Sequence, residues 1–98
     1  MYAVVDRRQT DFARAQKARE RAQRVFFPKL QRAPGFVSFT LVQGKDGVAT
    51  AVVLWESQVQ TDAFRAEAEA WQRAPDEFGH GLETQGRGEV VALFARGA

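Results

Sequence analysis

The chain has 98 residues, of which 45% are hydrophobic and 27% charged, and its formal net charge is +2. This length suits one domain, residues 1–98, with a modest core, and the eight Phe and two Trp argue against disorder. The sequence contains no Cys, which excludes disulfides, thiolate nucleophiles and cysteine metal sites.

The charge is unevenly distributed along the chain. Residues 1–35 hold nine Lys or Arg and three Asp or Glu, a net of +6, whereas residues 36–98 hold five and nine, a net of −4. A solvated basic helix face is one explanation, and steering of a second copy or a polar ligand is the other. Because no stretch resembles a signal peptide or a membrane span, we expect a cytoplasmic protein.

The first predicted element is a strand at Tyr2–Val5, an apolar run that ends in the charged residues 6–8. A helix follows, with Thr10 as its N-cap and Asp11 favourable in its first turn. Its apolar residues recur at three- and four-residue steps and form a thin, alanine-rich seam: Phe12, Ala15, Ala18, Ala22, Val25 and Phe26. Pro28 is expected to kink or restart this helix.

Pro34-Gly35 ends the helix and opens a predicted β-hairpin. In Phe36–Gln43 apolar and polar residues alternate, which indicates a strand with one face more buried than the other. The turn Gly44-Lys45-Asp46-Gly47 supplies the positive-φ positions that a hairpin needs. Val48–Trp55 is apolar apart from Thr50, so we expect it in the centre of the sheet with both faces covered.

Ser57 and Gln60 form a capping box that begins a second predicted helix. Its apolar stripe consists of Ala63, Phe64, Ala68 and Trp71. Pro75 closes the helix, residues 76–88 are predicted to be a glycine-rich loop, and Glu89–Ala95 is predicted to be the last strand.

The element order is therefore strand, helix, strand, strand, helix, strand. Right-handed crossovers turn this order into an α+β, ferredoxin-like βαββαβ fold, with a four-stranded antiparallel sheet and both helices on one face. The first and third strands are then central. Because the helices leave the other, partly apolar face uncovered, we expect a homodimer that joins sheet to sheet, as in a dimeric α+β barrel.

Two short motifs carry a resemblance to a known family. PGF at 34–36 and WES at 55–57 flank the two hairpin strands, and an amphipathic helix follows. In this order the chain resembles the antibiotic-biosynthesis-monooxygenase family of dimeric α+β barrels, over nearly its whole length. The family includes haem-degrading enzymes, cofactor-free oxygenases that act on polyketide quinol precursors, and members without an assigned activity.

The resemblance to the cofactor-free oxygenases implies one site residue directly. In those enzymes the Trp of the WES motif works beside an Asn four positions earlier and a Tyr six positions later. Trp55 matches, whereas the other two positions hold Ala51 and Thr61.

In the haem degraders an Asn near the end of the first strand joins a Trp and a His on the second helix. The corresponding places here are around Asp6 or Arg7, Phe64 and Ala74, and the chain has no Asn. Either chemistry would therefore run on a different set of residues in this chain.

His80, between Gly79 and Gly81, is the candidate catalytic base, because a lone His can exchange protons near neutral pH. An exposed loop His without a role is the competing interpretation. The candidate substrate-binding residues are four aromatic side chains and one cation: Phe39, Trp55, Phe64, Trp71 and Arg73. Plain core packing would also explain the aromatic residues. No metal or cofactor site is predicted, since His80 has no His or Cys partner in the sequence.

The function predicted from these residues and the resemblance is a small-molecule enzyme that oxidises a planar aromatic or polyketide-like substrate without a cofactor. The alternative is a homodimeric module that binds a ligand or partner without catalysis. Nucleic-acid binding is disfavoured, because the basic first helix has no aromatic residues among its charges and the rest of the chain is acidic. A cavity with converging polar groups would favour the enzyme, and a filled core the module.

Overall fold

A computed structural model describes residues 1–72, 82–94 and 96 of the chain. The elements in chain order are β1 (Tyr2–Gln9), α1 (Phe12–Arg21), a π-helical segment (Ala22–Phe26), α2 (Phe27–Arg32), β2 (Phe36–Gln43), β3 (Val48–Trp55), α3 (Gln58–Ala63), α4 (Arg65–Gln72) and β4 (Leu82–Glu89). The side chain of Phe12, the predicted helix end at Pro75 and the site candidates Arg73 and His80 lie outside the described residues. Within the described residues, none of the helices has the length and hydropathy that crossing a bilayer requires.

The strands form one four-stranded antiparallel sheet in the order β2-β3-β1-β4. This confirms the predicted ferredoxin-like α+β fold and the central places of the first and third strands. β1 is longer than predicted and continues through the charged residues to Gln9. In its pairing register, Tyr2 lies opposite Trp55 and Glu89, and Asp6 lies opposite Ala51 and Gln85.

The alternation along the central strands divides the sheet into two faces. Side chains on the helix-covered face come from every second residue of β1 and β3: Val4, Asp6, Arg8, Ala49, Ala51, Val53 and Trp55. The intervening residues belong to the opposite, outer face, and include Ala3, Val5, Val52 and Leu54. Each central strand therefore contributes to two surfaces, as the apolar pattern of Val48–Trp55 predicts.

The first helix begins one residue later than predicted. Asp11, not Thr10, is its N-cap, and the Asp11 carboxylate accepts a hydrogen bond of 2.8 Å from the Arg14 backbone N–H. Thr10 is buried and its backbone N–H donates to the Gly47 carbonyl at 2.8 Å. Thr10 was the wrong choice because its backbone is already used to hold the hairpin turn against the end of β1.

The helix changes its winding before Pro28, as the restart prediction requires. Ala22–Phe26 is π-helical, and the backbone N–H of Phe27 reaches back to the Ala22 carbonyl. Pro28 then lies in the first turn of α2, where its missing N–H needs no helical partner. Val25 is exposed and does not belong to the predicted seam, because the wider turn rotates it away from the core.

Two glycines allow the chain to enter and leave the hairpin. Gly35 has φ 82° and Gly47 has φ 84°, in the left-handed region that glycine tolerates. A Cβ on Gly35 would also overlap the side chain of Gln60. Gly44 has no positive φ, so only one end of the predicted turn sequence uses this freedom.

The second helix begins as predicted and then breaks. The Ser57 hydroxyl accepts a hydrogen bond from the Gln60 backbone N–H at 3.4 Å and caps α3. At Phe64 the winding tightens, since the backbone N–H lies near the carbonyls of both Gln60 and Thr61. Phe64 is buried as predicted, but Ala63 is exposed and Thr61 takes the buried place on α3 instead.

The last strand was predicted at the wrong place. It occupies Leu82–Glu89, which overlaps the predicted strand only at Glu89 and otherwise lies in the predicted loop, and it pairs with β1. The apolar residues that were taken for the strand follow it: Val91, Leu93 and Phe94 are 96%, 64% and 102% exposed. They therefore do not cover the outer face of their own sheet.

Candidate functional site

A cavity of about 440 Å³ lies between the sheet and the helices. Its floor is the helix-covered face of the sheet, and its roof comes from α1, the π-helical segment and α4. The roof residues over the centre are small, Ala15, Ala18, Ala22 and Ala68, so they leave the space between the layers open. The alanine-rich seam in the sequence therefore accompanies a cavity in the structure.

Aromatic rings surround one end of the cavity. Trp55 is buried at the end of β3, and its ring lies 5.2 Å from that of Phe64 and 5.8 Å, edge-on, from that of Phe36. Phe26 lies 6.0 Å from Phe64, and all four belong to or pack against the buried core cluster. Such a wall offers apolar surface and ring faces to a planar ligand.

Phe26 and Phe27 reach different layers although they are adjacent in sequence. The ring of Phe26 stacks on Trp71 of α4 at 4.9 Å and 10°. The ring of Phe27 lies 4.9 Å from Phe39 of β2. Both contacts line the cavity, so the π-helical segment joins the aromatic residues of the helices to those of the sheet.

Polar side chains gather at the other end. Asp6, in the middle of β1, accepts a hydrogen bond of 2.8 Å from the side-chain amide of Gln85 on β4. Arg8 follows on the same face of β1, and Arg87 follows Gln85 on β4; all four side chains line the cavity. The cavity thus runs from aromatic rings to one carboxylate flanked by two guanidinium groups.

Burial shifts the pKa of two of these side chains, Asp6 and Arg8. Loss of hydration raises the pKa of the Asp6 carboxyl above its ordinary value, against the opposing effects of the Gln85 hydrogen bond and of Arg8 and Arg87. Burial likewise lowers the pKa of Arg8, although Asp6 opposes that shift. Desolvation is the largest cause in both cases, and Asp6 and Arg8 are half-buried side chains of the central strand β1.

A second acidic residue holds two of the cations at the rim. Asp62 lies 3.4 Å from Nη1 of Arg87 and 3.2 Å from Nη2 of Arg65. Arg65 and Arg87 both line the cavity, together with Arg19 and Glu69. These pairs are substantially exposed, so they orient the guanidinium groups more than they stabilise the fold.

The structure brings the described site candidates together. The cavity is lined by all four aromatic candidates, Phe39, Trp55, Phe64 and Trp71. Their role in binding a ligand stays a prediction. Arg73 and His80 lie outside the described residues, so their relation to the cavity also stays a prediction.

Sequence reasoning missed Asp6 and Gln85 as a pair, because 79 positions separate them and only the β1–β4 register joins them. The sequence did contain one indication. Asp6 lies two positions after Val4 on the same strand, so both side chains belong to the same face of the sheet. Phe26 was assigned to the helix seam and not to the site. Among the described residues no group of three or more His, Asp or Glu has the arrangement of a metal site.

No family model matches the sequence, and no curated protein matches it. Solved structures do match its fold. A monooxygenase from the gene ActVA-Orf6 of Streptomyces coelicolor, in complex with nanaomycin D, is 22% identical, with a TM-score of 0.68 over 98% of this chain and 92% of that chain. The haem degrader MhuD of Mycobacterium tuberculosis, with two haems in its active site, is 17% identical, with a TM-score of 0.74 over 97% of this chain and 100% of that chain.

A protein of Deinococcus radiodurans that is named an antibiotic biosynthesis monooxygenase is 10% identical, with a TM-score of 0.76 over all of both chains. Proteins of Nitrosomonas europaea, Bordetella bronchiseptica and Chloroflexus aurantiacus that carry the same name also match over nearly the whole chain. At these identities the likeness shows a shared fold, and the chemistry has to be argued from the cavity.

Proposed function

We propose that this chain, which has the fold of the antibiotic biosynthesis monooxygenases, is a small-molecule enzyme that oxidises a planar aromatic or polyketide-like substrate without a cofactor. The observation that supports this most is the cavity of about 440 Å³ with aromatic rings at one end and a desolvated carboxylate at the other. A filled core would have supported a purely structural module.

In this proposal the rings of Trp55, Phe64 and Trp71 hold the flat body of the substrate and exclude water from it. A polar group of the chain takes a proton from the substrate, and the resulting electron-rich anion reacts with O₂ itself. For a ring methylene the net reaction is R₂CH₂ + O₂ → R₂C=O + H₂O, in which the substrate supplies all the electrons. The arginines at the polar end, Arg8 and Arg87, stabilise the negative charge of the anion.

Two structural neighbours support a small-molecule ligand in this fold. The Streptomyces monooxygenase binds nanaomycin D, and MhuD binds haem in its active site. This chain is only 22% and 17% identical to these two proteins. It also lacks the matching residues at Ala51, Thr61 and Ala74, so the proposal rests on the shape and chemistry of its own cavity.

Oxygen consumption tests the proposal directly. With 1,8-dihydroxyanthrone as the probe and a chelator present, we expect the protein to accelerate O₂ uptake and quinone formation above the rate in buffer. Ala51→Phe, which places a ring in the cavity opposite Asp6, should abolish the acceleration. Ala66→Phe is the matched control on the exposed side of α4 and should retain it. No acceleration by the wild-type protein would overturn the proposed activity.

The alternative function uses the same cavity without chemistry. If the protein binds the probe, and Ala51→Phe prevents binding, while O₂ uptake stays at the rate in buffer, the chain is a ligand-binding module. Nucleic acid remains disfavoured as a partner, because the basic first helix has no aromatic residues among its charges and residues 36–98 carry a net negative charge.

The proposed active form is a homodimer. The outer face of the sheet presents Val5 and Val42 at 36% and 55% exposure, and Gly86 and Gly88 have open space where side chains would be. Three further exposed apolar residues, Val91, Leu93 and Phe94, follow Val90, whose backbone N–H bonds to the Met1 carbonyl at 2.8 Å. A second copy would cover both apolar surfaces. We take the assembly to be cytoplasmic, in line with a sequence without Cys.

A further inference from the structure

We propose that Asp6 is the base of this site: its carboxylate accepts a hydrogen bond from a hydroxyl group on the planar substrate and then takes the proton. The inference rests on the function proposed above. It gives Asp6 the role of base for which the sequence analysis proposed His80. It also defines the substrate class more closely, as an aromatic compound that carries a hydroxyl group at the end remote from the aromatic wall.

The position of Asp6 follows from the strand register. Asp6 lies in a central strand, between Ala51 of β3 and Gln85 of β4, and it is directed to the helix-covered face. Ala51 is too short to cover the carboxylate from the side. Above it, α1 contributes Ala15 and Ala18, which are equally short. The carboxylate therefore borders the cavity and is not enclosed by packing.

Gln85 gives the carboxylate a defined orientation. Its Nε2 donates to Oδ1 of Asp6 at 2.8 Å, and Gln85 belongs to a neighbouring strand of the same sheet. Both partners therefore stand on rigid backbone, which is the arrangement that a positioned proton acceptor needs.

The charged groups that share the cavity with Asp6 come from β1, β4 and the helices. Arg8 of β1 and Arg87 of β4 act on it electrostatically. Arg19 of α1 and Arg65 and Glu69 of α4 line the same cavity, and β2 contributes the neutral Gln43. The described surroundings are thus richer in cations than in anions.

This environment suits a base that produces an anion. Burial raises the pKa of Asp6, which makes its carboxylate a better proton acceptor than an exposed one. In the transfer, the O–H bond of the substrate's enol tautomer breaks, the proton forms the carboxylic acid of Asp6, and the electron pair is shared between the substrate oxygen and the ring carbon that then reacts with O₂. Arg8 and Arg87 then lie beside the new phenolate, whose negative charge they stabilise.

Glu67 provides the matched control for charge and chemical type. It is an exposed carboxylate on α4 and is not among the residues that line the cavity. Asp6, in contrast, is half-buried in the sheet and borders the cavity.

The first test measures recognition of the hydroxyl group without any oxidation. Equilibrium dialysis at pH 7 compares 2-naphthol with 2-methoxynaphthalene, which has no O–H to donate. We expect the wild type to prefer 2-naphthol by about tenfold, because hydrogen bonds to charged acceptors are stronger than neutral ones. Asp6→Asn should lose most of this preference although it can still accept the Gln85 bond, and Glu67→Gln should keep it.

The second test measures the proton transfer through O₂ uptake with 1,8-dihydroxyanthrone. We expect the wild-type rate to fall at acidic pH, where Asp6 is protonated. Asp6→Asn should lower kcat by about 100-fold or more, as expected for loss of a general base, and should remove this pH dependence. Glu67→Gln, outside the cavity lining, should stay within about threefold of the wild type.

The two tests separate the two proposals. If the wild type oxidises the anthrone and Asp6→Asn does so at the same rate and with the same pH profile, Asp6 is not the base and the oxidase function stands. If no variant oxidises the anthrone but the hydroxyl preference depends on Asp6, the oxidase function fails and Asp6 remains the hydroxyl acceptor. Equal binding of both naphthalenes by the wild type overturns the assignment of Asp6.

Discussion

Phe26 stacks on Trp71 with their ring centroids 4.9 Å apart and their planes within 10° of parallel. Phe26 is buried and Trp71 is half-buried, and the guanidinium of Arg21 lies 5.6 Å from the centroid of the Trp71 ring. Trp71 is thus held by the first helix while its ring borders the cavity. One contact therefore joins the packing of the helices to the wall of the candidate site.

Replacing Trp71 should affect ligand binding more than folding. We expect Trp71→Leu to cost about 1–2 kcal/mol in the free energy of unfolding, because one stacked pair and part of its burial are lost. Trp55→Leu should cost about 3 kcal/mol, since Trp55 is only 2% exposed and a cavity would remain in the core. Urea unfolding measures both. An equal loss of stability in the two variants would contradict this division of roles.

Asp6 should lower stability as the pH rises. Its carboxyl has a raised pKa in the folded protein, so the folded state binds its proton more tightly than the unfolded state does. The contribution of Asp6 to the free energy of unfolding therefore falls from below the ordinary Asp pKa, 3.8, up to the raised value, and stays low above it. Relative to the wild type, Asp6→Asn should gain stability across that window.

Urea denaturation from pH 3 to pH 7 measures the free energy of unfolding of the wild type and of Asp6→Asn. The difference between these two pH profiles isolates the contribution of Asp6 from that of the other carboxylates. Asp62→Asn is the useful contrast, because it removes a carboxylate that pairs with Arg65 and Arg87 at the rim. A difference curve for Asp6→Asn that is flat with pH would mean that burial does not disfavour its charge.

The outer face of the sheet should be sensitive to charge. Within β3, Val53 lines the cavity and Val52 belongs to the outer face. We expect Val52→Arg to give a folded monomer in sedimentation at micromolar concentration, since an unpaired buried charge costs several kcal/mol. Val59→Arg, at a position 77% exposed on α3, should leave the dimer intact. A wild-type monomer would refute the assembly.

Added haem should not be degraded faster than in free solution, and the purified protein should be colourless. The places that hold a Trp and a His in the haem degraders are Phe64 and Ala74, and Phe64 is committed to the core at 5.2 Å from Trp55. Absorption spectroscopy measures this. A shifted Soret band that decays only after addition of a reductant would show that haem is a substrate after all.

Local pattern was sufficient where burial and propensity agree. The hairpin strands Phe36–Gln43 and Val48–Trp55 have the predicted bounds, because their apolar residues are also the ones the sheet needs inside. The last strand was misplaced for the opposite reason. Leu82–Glu89 contains two glycines and few apolar residues, yet its backbone pairs with β1, whereas the apolar residues Val91, Leu93 and Phe94 that follow it are exposed.

In the candidate site, too, the local sequence pattern predicts some residues and misses others. The aromatic residues Phe39, Trp55, Phe64 and Trp71 were candidates because their spacing places them on inward faces, and all of them line the cavity. The polar end depends on strand pairing between distant parts of the chain, which no local pattern contains. The same pairing explains why a carboxylate in a run of charged residues, Asp6, is half-buried.

The π-helical turn makes the cavity sensitive to the deletion of a single residue. A π turn holds one residue more than an α turn, so Ala22–Phe26 differs from an ordinary stretch of helix by the length of a single codon. In-frame loss of that codon would leave every strand and its pairing intact. It would also rotate α1 relative to Phe26 and Phe27, so that the alanines over the cavity and the rings that contact Trp71 and Phe39 would no longer face the same space. The width of the binding space is therefore encoded by chain length at one point of one helix, and not only by the side chains that line it.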